Sequence, residues 1–267
     1  MNALSLYGVY VGASLRAQMA YPISFLLYSA GQFFATILEF AGIALLFARF
    51  GRLSGWSLGE VAFFYALVSI TFAIADTVTR GFDVFGPEFV KTGNFDRLLL
   101  RPRSAWLQLL GHEFRLSRVG RLSQALIVLA IGMHLLNYHW TWQAALVALF
   151  SIAGGVALFS GLLVLQATMS FWTVESLEIV NTLTYGGVEA AQAPMNIYAR
   201  WFRDFLTFIV PLACVAYFPV LAILGRTDVE QMSAPAAALA PAFGFVFLAF
   251  SLWIWGFGVR RYRSTGS

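Results

Sequence analysis

Residues 143–169 read QAALVALFSIAGGVALFSGLLVLQATM, without one charged side chain. As a helix rising 1.5 Å per residue, this run reaches about 40 Å, more than the roughly 30 Å of a bilayer's hydrocarbon core. It is continuous rather than alternating, so it predicts a spanning helix and not a barrel strand. The interval before it, Asn137–Trp142, holds two tryptophans and His139, the composition of an interfacial aromatic belt.

Working outward, the same test predicts five more spans. They fall at about 23–47, 61–78, 120–136, 205–224 and 237–259. The fold class is therefore all-α, a polytopic membrane protein with six transmembrane helices in one membrane domain. The 267-residue composition agrees, being 60% hydrophobic and only 11% charged. A soluble domain carries about 25% charged residues. Residues 1–21 mix Arg16 and Gln18 with apolar positions, and read as an amphipathic helix lying on the membrane, with Pro22 bending the chain into the first span. The N-terminus lacks a basic stretch ahead of a short apolar core, so no cleaved leader is expected.

The basic residues assign the sides. Fourteen fall at one end of the six spans: Arg16, Arg80, Lys91, Arg97, Arg101, Arg103, Arg115, Arg118, Arg121, Arg200, Arg203, Arg260, Arg261 and Arg263. Three fall at the other: Arg49, Arg52 and Arg226. Positive residues stay in the cytoplasm. Both termini and the intervals 81–121 and 171–202 are thus expected inside. Because the basic residues track membrane boundaries rather than one patch, nucleic acid is not an expected partner, whereas membrane lipids are.

Several chemistries lack their residues. Gly86–Thr92, GPEFVKT, imitates a phosphate loop, but Val90 stands where the last glycine is needed. His112, His134 and His139 do not approach metal-ligand spacing with a cysteine or acid. No nucleophile motif frames any Ser, His and Asp. The single cysteine, Cys214, permits no internal disulfide.

A few residues stand out within the spans. Glu39 is a carboxylate inside the first one, where charge is costly and usually faces protein or water. It reads as a possible translocation-path residue, set against a structural partner for a neighbouring polar group. Asp76 lies one turn from Arg80, a simple interfacial ion pair. Ala153, Ala157 and Gly161 recur every four residues, a spacing that lets helices approach closely. Pro211 and Pro219 each remove a backbone donor and are expected to kink the fifth span. Trp253 and Trp255 read as an interface anchor.

The long polar interval contains Lys91–Trp106, KTGNFDRLLLRPRSAW. A helix beginning near Asn94 would take that residue as N-cap, with Asp96 in its first turn against the helix dipole. Leu98, Leu99 and Leu100 would form a greasy side, and Arg97 and Arg101, four apart, a basic one.

This stretch resembles a known signature. Asn94-Phe95-Asp96-Arg97-Leu98-Leu99-Leu100-Arg101-Pro102, opened by Gly93, is similar to the G-x-(L/F)-D-x-L-L-x-R-P motif of a subgroup of ABC transporter type 2 permeases. Arg203–Pro219, RDFLTFIVPLACVAYFP, resembles that subgroup's R-x-x-L-T-x-x-x-P-x-A-x-x-x-Y-x-P pattern, and Phe171-Trp172 also fits. The likeness covers about residues 20–260. It implies the type 2 permease fold: six helices, an amphipathic N-terminal interfacial helix and a permease in the bacterial inner membrane. A separate cytoplasmic ABC ATPase, in two copies, would hold ATP and Mg, with no cofactor on this chain. A second permease, identical or paralogous, would sit alongside, and the pair would export its cargo; the aromatic-rich spans suit an amphipathic or hydrophobic compound. The 81–121 interval then becomes a coupling region, with Asp96, Arg97, Leu98, Leu99, Arg101 and Pro102 meeting the ATPase. The competing reading is a proton-coupled secondary transporter or channel with Glu39 as its titrating group. It expects several in-membrane acids or discontinuous helices, and the spans show one clear acid. A lipid-modifying enzyme would need polar residues clustered at one interface, which the sequence lacks.

Overall fold

The computed structural model describes residues 3–173, 177–226 and 233–262. Its elements are helical, in the order α1 (Ala3–Met19), α2 (Pro22–Phe50), α3 (Leu58–Asp83), α4 (Asn94–Leu99), α5 (Ala105–Leu110), α6 (Val119–Leu136), α7 (Trp142–Met169), α8 (Leu177–Ala191), α9 (Arg200–Asp204), α10 (Phe218–Leu224), α11 (Ala234–Leu239) and α12 (Ala242–Arg261). Among the described residues, five helices are long and apolar enough to cross a membrane: α2, Leu58–Val90, Leu116–Leu136, α7 and Ala234–Arg261. A bent pair, Arg200–Ile209 and Ala213–Leu224, is a sixth candidate.

α3 is the centre. Its residues are apolar almost all round, and such a helix is buried on every side. It packs on α6 and α7, while α2 lies against α6 and α12 against α7. A capping box starts it: the Ser57 amide donates to Glu60 Oε2 at 2.8 Å, and the Glu60 amide to Ser57 Oγ at 3.4 Å. Beyond Asp83 the chain turns into a π-helical segment, Gly86–Val90, making one rod of 33 residues. That is about 50 Å, so the rod outlasts a hydrocarbon core by several turns. The expected second span at 61–78 is therefore too short, and Gly81–Val90 is buried helix rather than polar loop. Phe82, Phe85 and Phe89 give that stretch its own packing, which a polarity count over 81–121 averages away.

Within lipid, helices gain little from hiding apolar surface from each other, and close packing decides the crossings. At the α7–α12 crossing a Cβ on Gly244 would fall 1.9 Å from the Gly154 carbonyl oxygen, so the two backbones touch. Gly161 and Ala157 lie buried along the same seam, while Ala153 points outward. The small residues of α7 thus serve packing inside the bundle.

The largest departure from the sequence reading follows α7. The interval 171–202, expected on one side, changes sides. Tyr185 on α8 packs edge-on against Phe72 at 5.6 Å, and its hydroxyl donates to Asp83 Oδ2 at 3.3 Å. Further on, Gln192 Nε2 donates to Ser69 Oγ at 3.1 Å. Trp56 Nε1 then donates to Asn196 Oδ1 at 2.9 Å. α8 and its continuation thus run antiparallel to α3, from its Asp83 end to its Leu58 end. The bent pair follows, folded by 83° at Pro211. Pro211 has no N–H to donate, and Val210 leaves helical geometry at φ −116°, ψ 93°. Midway, Ser151 Oγ donates to the Val215 carbonyl at 2.5 Å. At the close, Tyr138 Oη donates to the Ile223 carbonyl at 3.1 Å, back at the Leu58 end. The kinked fifth span expected to cross at 205–224 is instead a wedge whose two ends share one end of the bundle. Arg200 and Arg203 move with it, leaving eleven basic residues at the Val90 end and five at the other among the described residues.

This arrangement predicts a labelling pattern. In a Cys214→Ala background, single cysteines at Ser54 and Arg200 are expected to react with an impermeant thiol reagent from one side of the membrane, and Ser104→Cys from the opposite side. Labelling of Arg200→Cys together with Ser104→Cys would contradict the path of α8.

Candidate functional site

The Val90 end of the bundle gathers most of the basic residues and the signature stretch. Gly93, at φ 70°, makes the turn that side chains resist, and so takes the N-cap position expected of Asn94. Asn94 is instead the first helical residue. Its Nδ2 donates to Thr92 Oγ1 at 2.8 Å and to the Glu88 carbonyl at 3.2 Å, tying α4 back to the end of the α3 rod. Helical spacing then splits the leucines. Phe95 and Leu98 turn inward and are buried, while Leu99 and Leu100 face out, Leu100 at 85% exposure. Asp96 is half-buried in the first turn, and Arg97, Arg101 and Pro102 are exposed. Arg97 and Arg101 line a shallow polar cavity with Glu88, Thr92, Asn94 and His112. His112 Nε2 stands 3.3 Å from Glu88 Oε2. Gln108 Nε2 fastens the far side, donating to the Leu98 carbonyl at 3.0 Å and the Arg103 carbonyl at 3.2 Å.

Phe95 is the seat of α4. Its ring meets Phe85 at 5.0 Å, Phe171 at 5.4 Å and Tyr262 at 4.9 Å. Trp255, 4% exposed, closes the cluster against Phe82, Phe85 and Phe171. One aromatic knot thus joins α4 to α3, to the end of α7 and to α12. Edge-to-face rings add roughly 0.5–1.5 kcal/mol per pair beyond burial. Of the expected Trp253–Trp255 interface anchor, only Trp253 faces outward.

Beneath the knot lies an ion network. Arg118 Nε reaches Asp76 Oδ2 at 2.5 Å, and Arg80 reaches Asp76 Oδ1 at 3.5 Å. Arg80 also pairs with Asp83, which accepts from Gln166 Nε2 at 2.9 Å and from the Tyr185 hydroxyl. Arg118 donates onward to Gln32 Oε1 at 2.7 Å. The simple Asp76–Arg80 pair expected from sequence is thus one edge of a network joining α2, α3, α6, α7 and α8. Asp76 is 1% exposed. A carboxylate so buried is tolerable only with partners.

Residues 33–266 match a family described as ABC-2 family transporter protein. The chain belongs to the ABC-2 transporter family. No curated protein and no solved structure matches it. It is a multi-pass membrane protein and the permease component of a transport system whose family works with an ATP-binding subunit. The proton-coupled alternative is not favoured.

The permease places its remaining marked residues away from α4. Glu39 lies on an exposed face of α2, accepting from the Tyr65 hydroxyl at 3.3 Å. Pro211 stands at the 83° break of the wedge. Pro219 lies inside the continuous segment Ala213–Leu224, and the Val215 carbonyl four residues before it accepts from Ser151 Oγ in place of the missing N–H. The sequence reading gave no role to Phe95, Asp83 or Gln166, and assigned Trp255 to the interface. Spacing of three from the buried Leu98, on one face of a helix, is the signal that marks Phe95 as an inward position.

Proposed function

We propose that this chain is the membrane-spanning subunit of an ATP-driven exporter, working beside a second permease, identical or paralogous, in a bacterial inner membrane. A separate cytoplasmic ATPase, in two copies, binds ATP and Mg and docks at the Val90 end. Both permease termini face the cytoplasm, and α1 lies along the membrane surface. The observation that carries this reading is α4. It is clamped to three spanning helices through Phe95, yet it shows Arg97, Leu99, Leu100 and Arg101 to solvent. An element rigid toward the membrane and open toward the cytoplasm suits a contact that passes motion inward. The exposed guanidiniums can make charge-assisted hydrogen bonds to carboxylates of the partner.

Arg97→Ala combined with Arg101→Ala is expected to weaken copurification of the ATPase by about tenfold, the loss of roughly one charge-assisted bond. Membrane insertion and yield should stay unchanged, because both side chains are exposed. Full retention of the ATPase by this variant would remove the docking role.

A further inference from the structure

Two carboxylates lie at membrane depth: Glu39, which accepts from the Tyr65 hydroxyl, and Glu189. Glu39 sits eleven positions before Phe50, about 16 Å in from that end of α2. Glu189 sits on α8 two residues before its last one. Both side chains are exposed. Within hydrocarbon, ionisable side chains face protein or a water-filled cavity, because lipid contact costs several kcal/mol. The open faces of α2 and α8 are therefore not lipid-facing.

The two helices flank one cleft. Leu46 and Ile43 of α2 and Trp56 line one wall of a cavity of about 200 Å³, and Glu189 and Gln192 of α8 line the other. Glu39 is one turn from Ile43 on the same face of α2. α3 contributes Val61 to the cavity, and behind its lining the buried Tyr65 donates to Glu39 and Ser69 accepts from Gln192. The nearest cation of known position at the mouth, Arg226, lies 4.1 Å over the Trp56 ring, and Glu60 Oε1 accepts from it at 2.7 Å. Its charge is already matched. An apolar cavity edged by an exposed carboxylate suits a positively charged centre on an apolar body.

We propose that the α2–α8 cleft is a cargo site for small organic cations. The apolar body rests against Leu46 and Ile197, Glu189 neutralises the charge, and Glu39 offers a second station one turn further in. This proposal rests on the transporter reading above.

The test uses the permease as isolated from its membrane with its bound subunits, in lipid nanodiscs. The probes are benzyltrimethylammonium, a small aromatic cation, and benzenesulfonate, an anion of similar shape. Calorimetric titration should show saturable binding of the cation and none of the anion. Glu189→Gln and Glu39→Gln should each weaken cation binding about tenfold. Glu113→Gln, at the opposite end of the bundle, should not. Should Glu39→Gln lower the melting temperature through its lost bond to Tyr65, Glu189→Gln carries the comparison alone. Equal binding of both probes, no saturable binding at millimolar cation, or binding untouched by Glu189→Gln would overturn the proposal. ATP hydrolysis by the same preparation separates the two claims: an active complex that ignores the cation loses only this cargo class.

Discussion

Asp76→Ala is expected to destabilise the permease by about 3–5 kcal/mol, the cost of leaving a buried ion pair with one partner missing. The reason lies in what remains. Arg118 would keep its charge in a site only 12% exposed, with Gln32 as its remaining hydrogen-bond partner. Arg80 would still hold Asp83. Thermal unfolding in nanodiscs reads the loss directly. Asp76→Leu combined with Arg118→Met should recover most of it, because removing both charges leaves nothing buried and unpaired. A double variant as unstable as Asp76→Ala would show that the network acts through more than charge balance. An Asp76→Ala protein melting like the parent would show the pair to be hydrated and energetically minor.

The second large effect is expected from Phe95→Ala. Truncating a fully buried phenylalanine costs about 3–5 kcal/mol when the site cannot collapse. Here the cavity would open inside the aromatic knot, and α4 has only six residues with which to hold itself. The expected result is a permease that inserts normally while α4 loses its seat. Under the proposed function, a complex reconstituted with its ATPase should keep hydrolysing ATP while transport falls at least about tenfold. Trp253→Ala, which removes an exposed ring from the same helix as Trp255, should leave both rates near the parent's. Transport and hydrolysis falling together for Phe95→Ala would mean that docking, not transmission, depends on the knot.

How much of this was legible in the sequence depended on whether a helix satisfies its polar groups locally. α7 and α2 carry long apolar runs, and their residues announce them. α8 does not, because Tyr185, Glu189 and Gln192 break its hydropathy. Two of these find partners on α3, at Asp83 and Ser69, so polar residues that seem unfit for a membrane are matched inside it. The wedge misled in the opposite sense. Its second half, from Val210 on, is apolar because it sits deep in the bundle, yet the wedge enters and leaves by the same end. Placing the crossing at 205–224 instead of α8 then carried Arg200 and Arg203 to the wrong side. At the site, the signature marked α4 correctly as a distinct element, but a run of three leucines cannot say which one is buried. Leu98 goes in with Phe95, and Leu99 and Leu100 stay out. Trp255 was misread because a tryptophan near a helix end fits an interfacial belt as well as it fits a knot of rings.

The backbone contact between Gly154 and Gly244 has a mechanical consequence. It lies twelve residues from one end of α7 and fifteen from the other, which are arms of about 18 and 23 Å. The close approach does not end there: Gly161 packs on Ser251 and Leu248, and Gly258 on Thr168, so α7 and α12 are joined at three successive places. The aromatic knot fastens the same pair again at Phe171 and Trp255. A push delivered there by α4 would move α7 and α12 together, as one beam. Spin labels at Ser170 and Thr141, each measured against α12, should then keep their distances, whereas a pair that pivots would change them with opposite signs.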